Sequence, residues 1–354
     1  MKRILFVIGT LDNGGAERVV SLLAGELSRR GYEVSIITII NNKINYKLKE
    51  GVKVVQLDLK GSGIKRNFNR ISALRKEIKK NDVIISFLAI INMATLLAGI
   101  GLRKRIIMSE RNDPAREPGN RHVRVIRNLM YKYFHCNCFV FQTNDACNYF
   151  PNSIKKKSTI IPNPIIELPE PFKGDRKKNI VTIARLEPQK NLKLLLKCFA
   201  TVSRKYPDYS LDIYGRGPQL NELQEYARTL KMQGKVNFHG FVKNVHEEIK
   251  DAGIYVMSSD YEGISNGMLE ALGLGLPVIA TDCPIGGARM FIQNNVNGLL
   301  VPVGNEKKLT EAIFKLIEEP ELRKKIGNSA LDVRSKLNLQ HIITLWERII
   351  EEDK

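Results

Sequence analysis

Two glutamates eight positions apart, Glu262 and Glu270, lie in the segment Ser-Ser-Asp-Tyr-Glu-Gly-Ile-Ser-Asn-Gly-Met-Leu-Glu-Ala-Leu (258–272). An apolar run from Gly253 to Met257 stops at Ser258, a glycine-containing loop follows, and a helical pattern begins near Asn266. The expected order is strand, loop, helix, with one carboxylate in the loop and the other about one turn into the helix. Between them fall the first helical amides, at Asn266, Gly267 and Met268. Such amides lack partners inside the helix and favour an anion. Anion-seeking amides flanked by two carboxylates suit a ligand with phosphate in its middle and hydroxyls at both ends. A nucleotide sugar has that form.

Cations stand where they could meet such a phosphate. In Ile180-Val-Thr-Ile-Ala-Arg-Leu-Glu-Pro-Gln-Lys-Asn (180–191), Arg185 leaves a strand and Lys190 precedes a helix. A departing diphosphate builds negative charge, and fixed cations stabilise it without a metal. Two surface cations on a basic protein is the plainer reading. Near the start, Gly9-Thr-Leu-Asp-Asn-Gly-Gly-Ala-Glu-Arg-Val-Val (9–20) joins a strand to a helix, and Gly14 with Gly15 lets backbone approach a ligand closely. The Gly-x-Gly-x-x-Gly spacing of a dinucleotide site is absent. Leu211-Asp-Ile-Tyr-Gly-Arg-Gly-Pro (211–218) and Val236-Asn-Phe-His-Gly-Phe-Val (236–242) end two further strands. Tight turns explain their glycines equally well, and His239 reads as a packed loop residue.

Strand-like runs at 3–8, 34–40, 52–57, 83–88, 105–108 and 138–142, then 179–183, 210–214, 235–238, 253–257, 277–280 and 298–301, alternate with amphipathic helices. That alternation predicts parallel sheets covered by helices, an α/β fold. Ile161-Pro-Asn-Pro-Ile-Ile-Glu-Leu-Pro-Glu-Pro-Phe (161–172) is too rich in proline for helix or inner strand, so the break between domains is expected there.

Taken in chain order, these segments, with Gly-Leu-Pro-Val-Ile-Ala-Thr-Asp (275–282) following the glutamate pair, resemble glycosyltransferase family 4. The resemblance implies a retaining enzyme of the GT-B fold, two facing Rossmann-like parallel-sheet domains with an interdomain cleft. The expected divisions are 1–165 for an acceptor- and membrane-facing domain, 166–336 for a nucleotide-sugar domain, and 337–354 for a helix crossing back. The resemblance further implies that Arg185 and Lys190 bind the donor diphosphate, with the Gly14–Gly15 turn close by. Gly215, Phe241 and Val242 would form the base and ribose side of the pocket. Backbone around Ser265, Asn266, Gly267 and Met268 would hold sugar hydroxyls and phosphate; Glu270 would take the ribose hydroxyls, and Glu262 would face the donor sugar. Glu262, Arg185 and Lys190 are thus the expected catalytic set, with no cofactor and no metal.

Two segments depart from the pattern. Met-Ser-Glu-Arg-Asn-Asp-Pro (108–114) has Arg111 where many relatives carry histidine, and Met290 stands where glutamate is expected. The Ser-Glu-Arg-Asn form resembles a subgroup acting in capsule, exopolysaccharide and lipid-linked oligosaccharide synthesis, often with N-acetylhexosamine donors. It makes Glu110 and Arg111 acceptor-side candidates and the sugar a hexose or N-acetylhexosamine, N-acetylgalactosamine above others. The expected partners are a UDP-sugar and a polyprenyl-diphosphate-linked saccharide.

With 354 residues, 43% apolar, the chain can bury two cores. Five scattered cysteines (136, 138, 147, 198 and 283) lack zinc spacing and suit a reducing cytoplasm. The basic, apolar start resembles a signal peptide, but the run is short and a glycine loop replaces a cleavage site. Val83 to Leu102 holds twenty residues without charge. Polar Ser86, Asn92 and Thr95, and basic clusters at both ends, favour a strand followed by a helix capped by Asn92 over a membrane span.

The net charge of +19 is uneven: residues 1–165 carry 29 Lys and Arg against 12 Asp and Glu, a net +17. Such asymmetry points to a partner meeting that half alone. In Arg-His-Val-Arg-Val-Ile-Arg-Asn-Leu-Met-Tyr-Lys-Tyr (121–133), Arg121, Arg124 and Arg127 recur at about one-turn spacing, with Val125, Leu129 and Met130 on other sides. That helix could dock on anionic head groups, placing the protein in the cytoplasm, peripheral on the inner face of the cell membrane. A solvated basic helix is the alternative. Other basic runs are Lys65-Arg66, Arg103-Lys104-Arg105 and Lys155-Lys156-Lys157.

Two rival functions remain. A UDP-sugar epimerase on the same frame would need placed acid and histidine groups, and the five histidines offer none. A nucleic-acid binder would interleave aromatics with its cations, and these runs contain few.

Overall fold

A computed structural model describes residues 1–12, 14–40, 44, 46, 48–57 and 63–352, without the side chains of 64 and 65. Asn13 of the first glycine loop and the Lys65 side chain of one basic run therefore lie outside the described residues.

The chain folds as two units, residues 1–164 with 339–354, and residues 165–338. Strands of the first are β1 (Arg3–Ile8), β2 (Glu33–Thr38), β3 (Lys53–Gln56), β4 (Val83–Phe87), β5 (Arg105–Ser109), β6 (Cys138–Phe141) and β7 (Ser158–Ile160). They lie in the order β3-β2-β1-β4-β5-β6-β7, all pairs parallel. The second unit holds β8 (Asn179–Ile183), β9 (Ser210–Tyr214), β10 (Val236–Gly240), β11 (Ile254–Met257), β12 (Val278–Thr281) and β13 (Leu299–Val301), ordered β10-β9-β8-β11-β12-β13, again parallel.

Inner strands are buried on both faces, as helices on each side of a parallel sheet demand. Ile4 to Ile8, for instance, are all fully buried. That is why they read as continuous apolar runs. The edge strand β7 is half-exposed and short, and it escaped the sequence reading for that reason.

Each sheet has one place where chain direction across it reverses: between β1 and β4, and between β8 and β11. Ligands of open α/β sheets bind outside the carboxyl ends of strands at such points. The loop ending in Gly14 and Gly15 follows β1, with Gly15 opening the helix Gly15–Arg29.

The uncharged stretch 83–102 resolves into β4 and the helix Ala89–Gly99. The expected cap is corrected. Leu88 is the N-cap residue, at φ 78°, and Asn92 is buried inside the helix. There Ser86 Oγ donates to Asn92 Oδ1 at 2.7 Å, and Asn92 Nδ2 donates to the Ser109 carbonyl at 3.2 Å and the Tyr131 hydroxyl at 2.9 Å. Buried polar groups must find partners, and these four meet one another instead of water. Among the described residues, no helix is long and apolar enough to cross a membrane.

The terminal helix Leu339–Glu351 packs into the first unit. Its Trp346, fully buried, stacks on Phe87 at 5.8 Å.

Candidate active site

Lys190 ends a short turn after β8, and Glu262 lies in the loop after β11, so the reversal point of the second sheet brings them together. They form an ion pair whose side chains are only 13% and 9% exposed. Ser259 Oγ donates to the same glutamate at 2.8 Å, and Gln189 Nε2 approaches it at 3.4 Å.

The two loops are stitched at three more points. Asn191 Nδ2 donates to Asp260 at 2.7 Å, Ser258 Oγ to the Lys190 carbonyl at 2.9 Å, and the Asp260 amide to the Gln189 carbonyl at 2.9 Å. Asn191 adopts a left-handed conformation, φ 43°, and its side chain caps the helix Leu192–Lys205 by accepting from the Leu194 amide. Cation and carboxylate are therefore held by the fold before any ligand arrives. A small pocket runs from Thr182 and Ala184 past Lys190 to Ser258, Glu262 and Ser265.

Arg185 stands at the same strand end but is open, its side chain 56% exposed and 3.1 Å from Glu187. Gly215 beside it has φ 137°, and a Cβ there would lie 1.8 Å from the Ala184 carbonyl oxygen. Glycine is thus required by the backbone itself. Gly215→Ala is expected to strain the end of β8 that presents Arg185, at a cost of about 1–3 kcal/mol. A thermal melt lowered by several degrees with reduced nucleotide affinity would be the signature.

The helix Asn266–Gly273 follows, with Ser265 as its cap. Here one expectation is corrected: the Met268 amide is not open to a ligand, because Ser265 Oγ accepts from it at 3.4 Å. Gly267 packs tightly, and a Cβ would lie 2.8 Å from the Tyr255 hydroxyl. Glu270 is 3% exposed, one turn in, and His246 Nε2 lies 2.7 Å from its Oε2. His246 comes from the separate short helix Val245–Ile249. It was missed from sequence because nothing in a 24-residue separation marks the two as partners.

On the outer side Phe241 is 50% exposed with the Arg216 guanidinium 5.6 Å from its ring, and Val242 is half-buried beside it. His239 lies in β10 and not in a loop, and is exposed, though it stacks on Tyr214 at 4.4 Å and bonds Asp212 at 2.9 Å. Met290 is exposed. Burial pushes the Cys283 thiol up to about 12 and the Cys136 thiol equally high, so both stay protonated.

The first-unit candidates require corrections. Glu110 is buried, accepts from the Tyr131 hydroxyl, and burial pushes its carboxyl up. Arg111 is likewise buried, sandwiched 4.9 Å from the Phe87 ring and 5.5 Å from Trp346, and donates to the Ile161 carbonyl and Asn163. Burial lowers it to about 9. Both are held inside the first unit, where the Arg111 Nε and Nη2 are buried without a hydrogen-bond partner among the described residues.

In the helix Arg121–Tyr133 the expected faces are exchanged. Arg127 is fully buried, donating to the carbonyls of Pro114 and Glu117, with its guanidinium 5.1 Å from the Phe150 ring. Arg124 donates to the carbonyls of Pro118 and Gly119. Arg121 is exposed, and so are Val125 (51%), Ile126 (50%), Leu129 (51%) and Tyr133 (69%). The reason is local: the turn at 114–119 offers carbonyls that only a forked cation can satisfy. The apolar side is thereby left outward, while Met130 turns in. Ile100 and Tyr133 line a hollow of about 1140 Å³ rimmed by Arg103 and Lys104.

Comparison with known proteins agrees across the chain. Residues 13–166 match the family model Glycosyltransferase Family 4, and residues 166–333 match Glycosyl transferases group 1. A Campylobacter jejuni protein is 31% identical over all of this chain and 99% of its own. It is named as the alpha-1,4-N-acetyl-D-galactosaminyltransferase of GalNAc-alpha-(1->4)-GalNAc-alpha-(1->3)-diNAcBac-PP-undecaprenol. An uncharacterized glycosyltransferase of Haemophilus influenzae is 27% identical over 99% of this chain and all of its own. Among solved structures, Anabaena HepE in complex with UDP and glucose superposes with a TM-score of 0.86 at 16% identity, covering both chains completely. TarM gives 0.82 at 14% identity, covering 99% of each. The architecture is GT-B.

Proposed function

The chain belongs to glycosyltransferase family 4, and from that membership we propose that it moves a hexose or N-acetylhexosamine, with N-acetylgalactosamine the favoured sugar, from a UDP-sugar to a polyprenyl-diphosphate-linked saccharide with retention at the anomeric carbon. The observation that carries this reading is the buried Lys190–Glu262 pair at the sheet's reversal point, beside exposed Arg185 and the capped helix bearing Glu270. The 31% identical Campylobacter enzyme supports the acceptor class.

In this reading Lys190 and Arg185 neutralise the diphosphate as it leaves, Glu262 faces the sugar, and Glu270 binds the ribose hydroxyls. Backbone at Ser265, Asn266 and Gly267 meets sugar and phosphate oxygens. The acceptor hydroxyl attacks the face the phosphate leaves, and the phosphate oxygen takes its proton. No side chain then needs to be a strong base, and two cations take the part a metal would play. Turnover in excess EDTA is expected to equal that in magnesium, measured as UDP release. A loss of activity on chelation that magnesium restores refutes the metal-free reading.

Arg185→Ala is expected to lower kcat roughly 100-fold. Since Arg185 is mostly solvent-exposed, the melting temperature should stay unchanged. Near-normal turnover at saturating donor would remove Arg185 from the mechanism. The test of the whole reading is a thermal-shift panel of UDP-sugars followed by product analysis with a lipid-linked acceptor. An epimerase would instead convert UDP-N-acetylglucosamine without acceptor.

The membrane partner is reassigned to the outward face of the helix Arg121–Tyr133. Apolar side chains inserting while flanking cations meet anionic head groups is the usual design of an interfacial helix. Val125, Ile126, Leu129 and Tyr133 supply the first, and Arg121, Lys132, Arg103 and Lys104 the second. Leu129→Asp is expected to weaken sedimentation with anionic vesicles about tenfold, and Arg121→Ala less. Equal binding by wild type and Leu129→Asp excludes this face.

A further inference from the structure

We propose that His246 is the positioning residue that fixes the Glu270 carboxylate for ribose recognition, a proposal that rests on the donor-site reading above. The contact is specific: Nε2 lies 2.7 Å from Oε2, with His246 13% and Glu270 3% exposed at the side chain. The two residues come from different helices, Val245–Ile249 and Asn266–Gly273.

Recognition of a vicinal diol by one carboxylate depends on the plane of that carboxylate. A glutamate side chain has three torsions, the last of them broad. Left to itself it must be ordered by the ligand, and that ordering subtracts from affinity. A hydrogen bond at Oε2, supplied by the protein's own His246, sets the final torsion. Tyr255 nearby is fully buried, and its phenol is raised first by that burial and then by the charges of Glu270 and Glu262. With the carboxylate plane fixed at one oxygen, its orientation toward a diol is settled before binding. His246 does not touch the reacting atoms in this scheme. Its effect should appear in donor affinity and only where ribose hydroxyls are present.

The test measures binding of UDP and of 2′,3′-dideoxy-UDP by calorimetry to wild type, His246→Ala, His246→Asn and His246→Gln. The glutamine amide nitrogen reaches about as far as Nε2, whereas that of asparagine falls short of it. Wild type should prefer UDP. His246→Ala should weaken UDP about tenfold, the size of one charge-assisted hydrogen bond. It should leave dideoxy-UDP within about twofold. Glutamine should restore UDP binding and asparagine should not. In turnover assays the donor KM should rise in His246→Ala with kcat nearly unchanged.

Equal weakening of both nucleotides by His246→Ala, with no rescue by glutamine, would mean a merely structural histidine and overturn the proposal. Equal rescue by glutamine and asparagine would overturn it too. A wild type that binds both nucleotides alike removes the ribose contact on which it depends. A wild type that binds neither sinks the donor reading itself. Should the alanine variant fail to fold, the difference in UDP affinity between the glutamine and asparagine variants decides: tighter binding by glutamine upholds the proposal, and equal binding overturns it.

Discussion

Lys190→Ala is expected to lower kcat by about 100- to 1,000-fold, and unlike Arg185→Ala it should also lower the melting temperature. The electrostatic loss follows from position. Lys190 and Glu262 are mostly buried, where a fixed charge acts through a weaker screen than in water. The structural loss has a different origin. Removing the ammonium leaves a buried carboxylate facing Ser259 and Gln189 without its cation. Breaking a buried ion pair from one side costs about 3–5 kcal/mol, mostly through the charge left behind. The double variant Lys190→Ala with Glu262→Gln separates the two. Stability should return in large part because no charge is stranded, while turnover stays low because the phosphate-facing cation is still missing. Chemical denaturation of the four proteins of the cycle, with kcat for each, measures the coupling. Recovery of activity alongside stability would mean that turnover needs neither the Lys190 cation nor the Glu262 charge.

Arg127→Ala is expected to be the most destabilising single change on the helix Arg121–Tyr133, by about 3–5 kcal/mol. The side chain is wholly buried, and its removal strands the carbonyls of Pro114 and Glu117 and the three rings of Tyr131, Tyr149 and Phe150 that face the guanidinium. Lysine should recover little, since its single nitrogen cannot reproduce the two separate guanidinium nitrogens that reach Glu117 and Pro114, nor the planar face against the rings. The result distinguishes two accounts of this arginine. A lipid-binding cation would weaken vesicle association and leave the melt unchanged. A core cation lowers the melt and, at temperatures where the variant is folded, binds vesicles like wild type.

What the sequence revealed and what it concealed divide along a physical line. Parallel strands buried on both faces leave long apolar runs, so β1, β4, β8 and β11 were readable directly. The placement of Arg185, Lys190 and Glu262 after strand ends, and of Glu270 in the helix that follows, was readable because strand, loop and helix succeed one another in a fixed chain order. The helix Arg121–Tyr133 misled because arginines at one-turn spacing describe a polar stripe equally well whether water or carbonyls receive it. The deciding groups, the 114–119 turn and the Tyr149–Phe150 rings, lie outside the helix. Asn92 misled in the same way: an asparagine near a helix start suggests a cap, but Ser86, Ser109 and Tyr131 claim it from three other elements. Side chains whose partners are distant in sequence leave no local trace.

Trp346 bears on how the protein comes into being. The ring that closes over Phe87 and Arg111 is delivered by the final helix, after the entire second unit has been translated. Throughout elongation the first unit therefore waits with a gap where indole belongs, and its seven-stranded sheet can complete its interior only once residues beyond 339 leave the ribosome. A released chain ending at residue 338 should be cut readily by protease within 1–164, while its 165–338 segment resists.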